Sequence, residues 1–157
     1  MPVRRIRYDT VLAASFDQVF DALMRPETML YVCRPLLHLR PVRPARLPDR
    51  WQDGDYVVSL WLFGFLPLGR QHVGIEFGDL EAGADTFTGM DRGRSRLMKR
   101  WDHSIGIAQR GDGTTGYFDE IVIDAGWLTP IATPLVRLLF RHRQKRLRAF
   151  AARGFAS

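Results

Sequence analysis

The sequence has little of what most metal, cofactor and covalent chemistry requires. Cys33 is the only cysteine, so neither an intramolecular disulfide nor a paired-cysteine metal motif can form. The four histidines are scattered, without the close spacing of a zinc site. A phosphate-binding glycine loop, a dinucleotide-binding glycine pattern and a G-x-S-x-G motif are also missing. We therefore expect no metal and no cofactor.

Long apolar segments are missing as well. Residues 1–9 lead into no hydrophobic run long enough for a signal peptide or a membrane span. A single cysteine also fits a reducing compartment. The expected location is the cytoplasm.

Lysine is scarce, although the chain is basic. The 23 Lys and Arg residues exceed the 17 Asp and Glu residues, which gives a net charge of +6, and only Lys99 and Lys145 are lysines. The arginines are spread along the chain, and the C-terminal basic stretch lacks the interleaved aromatic residues of a single-strand binder. Nucleic acid is therefore not an expected partner, whereas contact with an anionic membrane surface stays open.

What is present is the composition of a folded domain. The 157 residues are 46% hydrophobic and 25% charged, which suits one domain spanning 1–157. A chain of this length buries roughly two thirds of its unfolded surface, so its core needs no disulfide or metal.

The N-terminal third predicts one strand and two short helices. Residues 3–14 alternate between apolar and polar, as in a half-buried strand. Ser15, with Gln18 three residues later, has the pattern of a capping box at the start of a helix over 16–24. A second short helix is expected over 27–32.

The remainder predicts antiparallel strands followed by one long helix. Four prolines between 35 and 50 restrict the first of these strands to a sheet edge. From Trp127 to Gly154 the apolar period becomes helical. Only this helix is long enough to cover the apolar face of a sheet. The predicted strands are 36–42, 56–63, 68–78, 85–90, 97–109 and 114–124, with turns at 64–67, 91–94 and 110–113.

Three stretches and the element order resemble the SRPBCC superfamily of START, polyketide cyclase/dehydrase and pollen-allergen-like proteins. The stretches are Leu12–Leu23 (LAASFDQVFDAL), Trp101-Asp102-His103, and Phe118–Ile123 (FDEIVI). The resemblance implies the α+β helix-grip fold, in which a curved antiparallel sheet of about six to seven strands wraps a long C-terminal α-helix. Two short helices follow the first strand. It also implies an apolar ligand cavity between sheet and helix.

One hairpin places polar residues together on the predicted inner face. The Gly111–Gly113 turn makes 97–109 and 114–124 neighbours, so odd-numbered residues of both strands share one face. That face holds His103 and Asp119 among apolar residues. A carboxylate orients a histidine and makes it more basic, as proton transfer requires. The pair could equally fix strand register in the core or provide polar lining for a ligand.

The expected cavity is formed by this face and the last helix. Phe65 and Leu66, at the tip of an unusually apolar hairpin, are expected at its mouth or in a contact with a partner protein. The expected lining is Trp101, His103, Ile105, Tyr117, Asp119, Ile121, Leu135, Leu138 and His142.

Three functions are compatible with this pattern. The first is binding of a small hydrophobic molecule that is lipid-, aromatic- or polyketide-like. The second is a cyclase, dehydratase or hydrolase in which His103 is the general base and Asp119 orients it. The third is an interaction module that docks on a partner or a membrane, or forms a homodimer, through the basic last helix and the 62–68 hairpin.

Overall fold

The computed structural model describes residues 3–156 as a seven-stranded antiparallel sheet with helices against one face. The elements are β1 (Arg4–Leu12), α1 (Phe16–Leu23), α2 (Pro26–Cys33), β2 (Leu37–Arg43), β3 (Gly54–Leu62), β4 (Leu66–Glu76), β5 (Thr86–Ser95), β6 (Arg100–Gln109), β7 (Thr115–Asp124) and α3 (Thr129–Ala152). A 3-10 turn at Gly126–Leu128 leads into α3. The strand order is β1-β7-β6-β5-β4-β3-β2, so the first strand pairs with the last, and β1 and β2 are the edges.

This is the predicted helix-grip architecture, with the strand count at the upper end of the expected range. Pro41 lies in the edge strand β2, where a missing N–H costs no central sheet hydrogen bond. Ser15 caps α1 as expected: its Oγ accepts from Gln18 N at 3.3 Å, and Gln18 Oε1 accepts from Ser15 N at 3.0 Å.

The prediction for β5 is wrong at its C-terminal end. Residues 91–94 are strand rather than turn, and the chain reverses at 96–99 instead. Gly93 is required there because a Cβ atom would lie 2.5 Å from Gln71 Nε2 and 2.6 Å from the His72 carbonyl oxygen. The glycine therefore reflects close packing within the sheet, not a turn. The longer strand places Asp91 directly opposite His103.

The buried face of α3 also differs from the prediction. Its buried residues include Thr129, Thr133 and Gln144, whereas Ile131 and Leu135 are exposed. The buried face lies about a third of a turn from the predicted apolar stripe. Gln144 holds this orientation, because its Nε2 donates to the Tyr8 carbonyl of β1 at 2.9 Å, and Thr129 Oγ1 is satisfied locally by donating to the Gly126 carbonyl at 2.8 Å.

The core lies between the sheet and the three helices. Phe140 of α3 is fully buried against Ile121 and Ile123 of β7. Leu12 of β1, Phe16 of α1 and further residues of the three helices fill the space beside them. Across residues 3–156, no helix is both long enough and apolar enough to cross a membrane.

Candidate ligand-binding cavity

A narrow cavity of about 40 Å³ separates the inner face of the sheet from α2 and α3. It has room for only a few water molecules, far less than the ~300–1,000 Å³ of a typical ligand pocket. The lining residues of β6 and β7 all have odd numbers, as the parity argument predicts, and those of β4 and β5 are odd-numbered too. The lining residues are Leu23, Thr28, Met29, Val32, Trp51, Ile75, Phe77, Asp91, His103, Ile105, Tyr117, Asp119, Arg143 and Leu147.

Wider depressions of about 540 and 360 Å³ lie elsewhere on the surface. They are open to solvent, and their lining lacks the buried titratable cluster of the narrow cavity. A site that combines enclosure, apolar walls and a few convergent polar groups is the better candidate for specific recognition.

Asp119 is the centre of the polar cluster in this cavity. Its side chain is 1% exposed and lies within hydrogen-bonding distance of three donors. His103 Nε2 is 2.6 Å from Asp119 Oδ1, and the Tyr117 hydroxyl donates to the same oxygen at 2.8 Å. Gln144 Nε2 donates to Oδ2 at 3.0 Å. The cluster joins β6, β7 and α3, so it fixes the helix against the sheet.

The surrounding hydrogen bonds and charges keep Asp119 ionised. Burial acts to raise its pKa, but the hydrogen bond from His103 and the nearby positive charge of Arg143 outweigh burial, and the pKa is lowered. Burial raises the pKa of Tyr117 well above its ordinary value, so the phenol stays protonated and donates. Asp119 is therefore an ionised carboxylate with its donors already in place.

His103 is a neutral base in this arrangement. Burial lowers its pKa, although Asp119 acts in the opposite direction. Since a carboxylate only accepts hydrogen bonds, Nε2 carries the proton and Nδ1 carries the lone pair. Nδ1 makes no hydrogen bond with the described part of the chain, and His103 lines the cavity. The lone pair is thus free to accept a proton or a hydrogen bond from a ligand.

Asp91 provides a second carboxyl group beside this base. It pairs across the sheet with His103, and its Oδ1 accepts from Gly74 N at 3.1 Å. Burial raises its pKa to about 7. Near neutral pH the cavity therefore holds a carboxyl group that can be either a proton donor or an anion.

Arg143 brings a positive charge into the same cavity from α3. Its Nε is buried without a hydrogen-bond partner among residues 3–156. Its guanidinium carbon lies 4.5 Å from the centre of the Phe140 ring. The side chain as a whole is half-buried, so a positive charge lies at the cavity with at least one donor unsatisfied.

The structure brings four of the predicted lining residues together. His103, Ile105, Tyr117 and Asp119 all line the cavity. Trp101 and Ile121 point to the same side of the sheet but pack in the core with Phe140, outside the cavity lining. That His103 and Asp119 would meet is confirmed, and their catalytic role stays a prediction.

The cavity positions predicted for the other residues are wrong, whereas a partner contact at Phe65 and Leu66 stays a prediction. Leu135 and Leu138 are 62% and 57% exposed, because the buried face of α3 is rotated away from them. His142 lies outside the cavity, with Nε2 2.8 Å from the Arg34 carbonyl oxygen. Phe65 is 72% exposed and Leu66 47% exposed, on a hairpin tip that does not contribute to the cavity or its mouth.

Sequence reasoning missed Asp91, Arg143 and Gln144. The sequence predicts Asp91 in the 91–94 turn, and it gives no reason to separate Arg143 from the other basic residues of the last helix. For Gln144 the sequence did contain a signal. Between Arg141 and Arg148, where most residues are basic, Gln144 and His142 are the only two with an uncharged polar side chain. The structure shows that this residue faces inward and bonds the sheet.

Several solved structures share this fold. A START superfamily protein from Mycobacterium smegmatis superposes with a TM-score of 0.64 at 13% identity, covering 95% of this chain and 97% of that one. The Zhui aromatase/cyclase from Streptomyces sp. R1128 gives 0.59 at 12% identity, covering 97% and 93%. A norcoclaurine synthase point mutant from Thalictrum flavum, bound to a transition-state analogue, gives 0.61 at 10%, covering 98% and 97%. The fold is that of the SRPBCC/START-like superfamily.

The sequence itself defines the family. The chain belongs to the family described as a domain of unknown function, DUF8410, whose model matches residues 10–151. No curated protein gives a significant sequence match. Function must therefore be argued from the cavity.

Proposed function

We propose that the protein binds a small, mainly apolar molecule between the sheet and α2/α3, with one polar end against the Asp119 cluster. The observation that carries this proposal is the free Nδ1 of His103, beside Asp91, in a cavity whose other walls are largely apolar. An apolar wall provides affinity, and a few fixed polar groups provide selectivity.

The narrow volume favours a compact, aromatic- or polyketide-like ligand over a long-chain lipid. A ligand of even ten non-hydrogen atoms needs more than the present 40 Å³, so side chains must move to admit it. Met29 lies on the helical wall and is partly buried. Methionine adapts its shape at little cost, so this wall is the part that we expect to open.

Native mass spectrometry of the protein from its own host tests the proposal. We expect a bound small molecule that is released on denaturation. Ile105→Phe should reduce its occupancy, because the larger ring fills the cavity. Val11→Phe is the matched control, since Val11 is 45% exposed and lies outside the cavity. Loss of the ligand from both variants, or from neither, would show that the molecule binds elsewhere.

An enzyme that transfers protons is the second candidate function. His103 Nδ1 is an oriented base, and Asp91 lies opposite it with a pKa of about 7. Such a pair can remove a proton from one atom of a substrate and return a proton to another, as a cyclisation or dehydration requires. Among proteins of this fold, an aromatase/cyclase and a norcoclaurine synthase are enzymes by name, which supports the candidate by analogy alone.

Binding and catalysis are separated by following the molecule after it has bound. In an enzyme, His103→Gln should abolish conversion of the bound molecule while retaining much of its affinity. In a carrier, the wild type releases the molecule chemically unchanged. The buried free thiol of Cys33 fits the cytoplasm as the proposed location of either.

A further inference from the structure

Arg143 is set apart from its neighbours on α3 by a buried donor that has no hydrogen-bond partner in the described chain. Arg146 Nε donates to the Tyr31 carbonyl at 3.1 Å, and Arg148 Nη1 donates to Thr10 Oγ1 at 3.3 Å. In the described chain, Arg143 forms neither a hydrogen bond nor an ion pair, and its Nε is sealed from solvent. The planar guanidinium therefore faces the cavity with its donors unused.

Such a group is costly unless a ligand satisfies it. Buried donors without acceptors lose their hydration and gain nothing in return, and a charged donor loses most. Asp91 and Asp119 lie in the same cavity but not within ion-pair distance of Arg143. They offset part of its charge while leaving its hydrogen-bonding capacity open.

We propose that Arg143 binds the carboxylate of a small apolar acid, aromatic or short-chain aliphatic. The inference rests on the proposed function and names the class of ligand. A guanidinium matches a carboxylate with two parallel hydrogen bonds. A phosphate dianion fits less well, because its second charge would have no cation of its own and would lie near the Asp119 carboxylate.

The test compares matched acids and amides. Binding of cinnamate and cinnamamide is followed by NMR, as shifts of the methyl groups of Ile75 and Ile105. We expect the wild type to prefer cinnamate at least tenfold. Arg143→Gln should remove that preference and leave amide binding intact, whereas Arg143→Lys should retain part of it. Arg141→Gln is the matched control, because Arg141 is exposed on the same helix.

The outcomes distinguish failure of the Arg143 proposal from failure of the proposed small-molecule function. Equal affinity for acid and amide in the wild type overturns the role of Arg143 but leaves the small-molecule site standing. Absence of binding by both probes at millimolar concentration overturns the carboxylate proposal. If the host-purified protein also carries no small molecule, the proposed function fails with it. If Arg143→Gln does not fold, Arg143→Lys decides, since it keeps the charge without the paired hydrogen bonds.

A separate observation concerns the surface. The antiparallel register places the start of β1, the β3–β4 turn, the β5–β6 turn and the start of α3 at one end of the sheet. Of the ten large hydrophobic side chains that are exposed in residues 3–156, only Val11 lies away from this end and the first half of α3. We name the rest the apolar end. It comprises Val3, Phe63, Phe65, Leu66, Leu97, Trp127, Ile131, Leu135 and Leu138.

Basic residues outnumber acidic residues around the apolar end. No acidic residue occurs from Gly126 to the end of the chain, and the first half of α3 carries Arg137. Arg94 at the end of β5 adds a positive charge, and Arg96 and Lys99 in the β5–β6 turn add two more, against the carboxylates of Asp102 and Asp124. A surface that combines exposed Trp, Phe and Leu with Arg and Lys is complementary to the interface of an anionic bilayer.

The geometry points to docking of the apolar end on an anionic membrane surface, independently of the cavity. Co-sedimentation tests it with vesicles of phosphatidylcholine alone and with ~30% phosphatidylserine. We expect binding only with phosphatidylserine, weakened by salt, and at least fivefold weaker for Trp127→Ser/Leu135→Ser. Val11→Ser should bind like the wild type.

A second copy of the chain is the competing occupant of the apolar end. Analytical ultracentrifugation distinguishes it from a membrane. A dimer that dissociates in Trp127→Ser/Leu135→Ser, together with no vesicle binding by the wild type, would overturn the membrane proposal. A monomer that sediments with anionic vesicles supports it.

Discussion

Replacing Asp119 with asparagine tests the cluster with a change of almost no volume. The carboxylate accepts from His103, Tyr117 and Gln144 at 2.6, 2.8 and 3.0 Å. An asparagine keeps one acceptor oxygen but turns an N–H₂ group toward one of these donors. At least one buried donor is then unsatisfied, which costs about 1–3 kcal/mol. For a domain of this size, that is a fall in Tm of roughly 2–12 °C.

The assay combines thermal unfolding with ¹⁵N NMR of the imidazole. In the wild type we expect the His103 proton on Nε2. In Asp119→Asn that preference should weaken, and the pKa of His103 should fall further, because burial then acts without the carboxylate. Asp9→Asn is the control: its side chain is 65% exposed, and it should change stability by less than about 0.5 kcal/mol. Equal stability of the two variants, with an unchanged tautomer, would refute the reasoning.

Three further predictions concern the core, a helix cap and pH. Phe140→Ala should lower the free energy of unfolding by about 3–5 kcal/mol in urea titrations. Phe65→Ala, at an exposed hairpin tip, should change it little, and equal losses in the two variants would contradict the assigned burial. Ser15→Ala should cost about 0.5–2 kcal/mol by the same assay, and a neutral result would mean that the α1 cap adds nothing. Asp91 has a folded-state pKa raised from 3.8 to about 7, so the stability it contributes is complete below pH 4 and declines as pH rises to 7. Stability curves measured from pH 4 to 8 should show that decline in the wild type relative to Asp91→Asn, and parallel curves would contradict it.

The pairing of His103 with Asp119 was predictable because it depends on few assumptions. The Gly111–Gly113 turn makes β6 and β7 neighbours, and equal parity then places both side chains on one face. Their cross-strand partners are Ile121 and Ile105, so the two residues are diagonal neighbours. The prediction required only that the two strands be neighbours and that both side chains lie on the same face. The side chains are long enough to meet across the diagonal, so the exact register was not needed.

The orientation of α3 was not predictable from its apolar period. Ile131, Leu135 and Leu138 form a regular stripe, yet they remain at the surface. The buried face is held by Gln144, whose partners lie more than twenty residues away on β7 and β1. A pattern within one helix contains no information about such contacts. Asp91 and Arg143 were missed for the same reason, since only tertiary packing brings them to His103.

Methyl NMR of the isoleucines tests most directly whether the narrow cavity is a ligand site. Ile75 and Ile105 line it, whereas Ile121 and Ile123 are fully buried outside it and act as internal controls. On titration with small aromatic acids, we expect saturable shifts of the Ile75 and Ile105 methyl groups that are larger than those of Ile121 and Ile123. Uniform shifts, or none up to millimolar concentration while the host-purified protein carries no small molecule, would contradict the assignment of this cavity as the binding site.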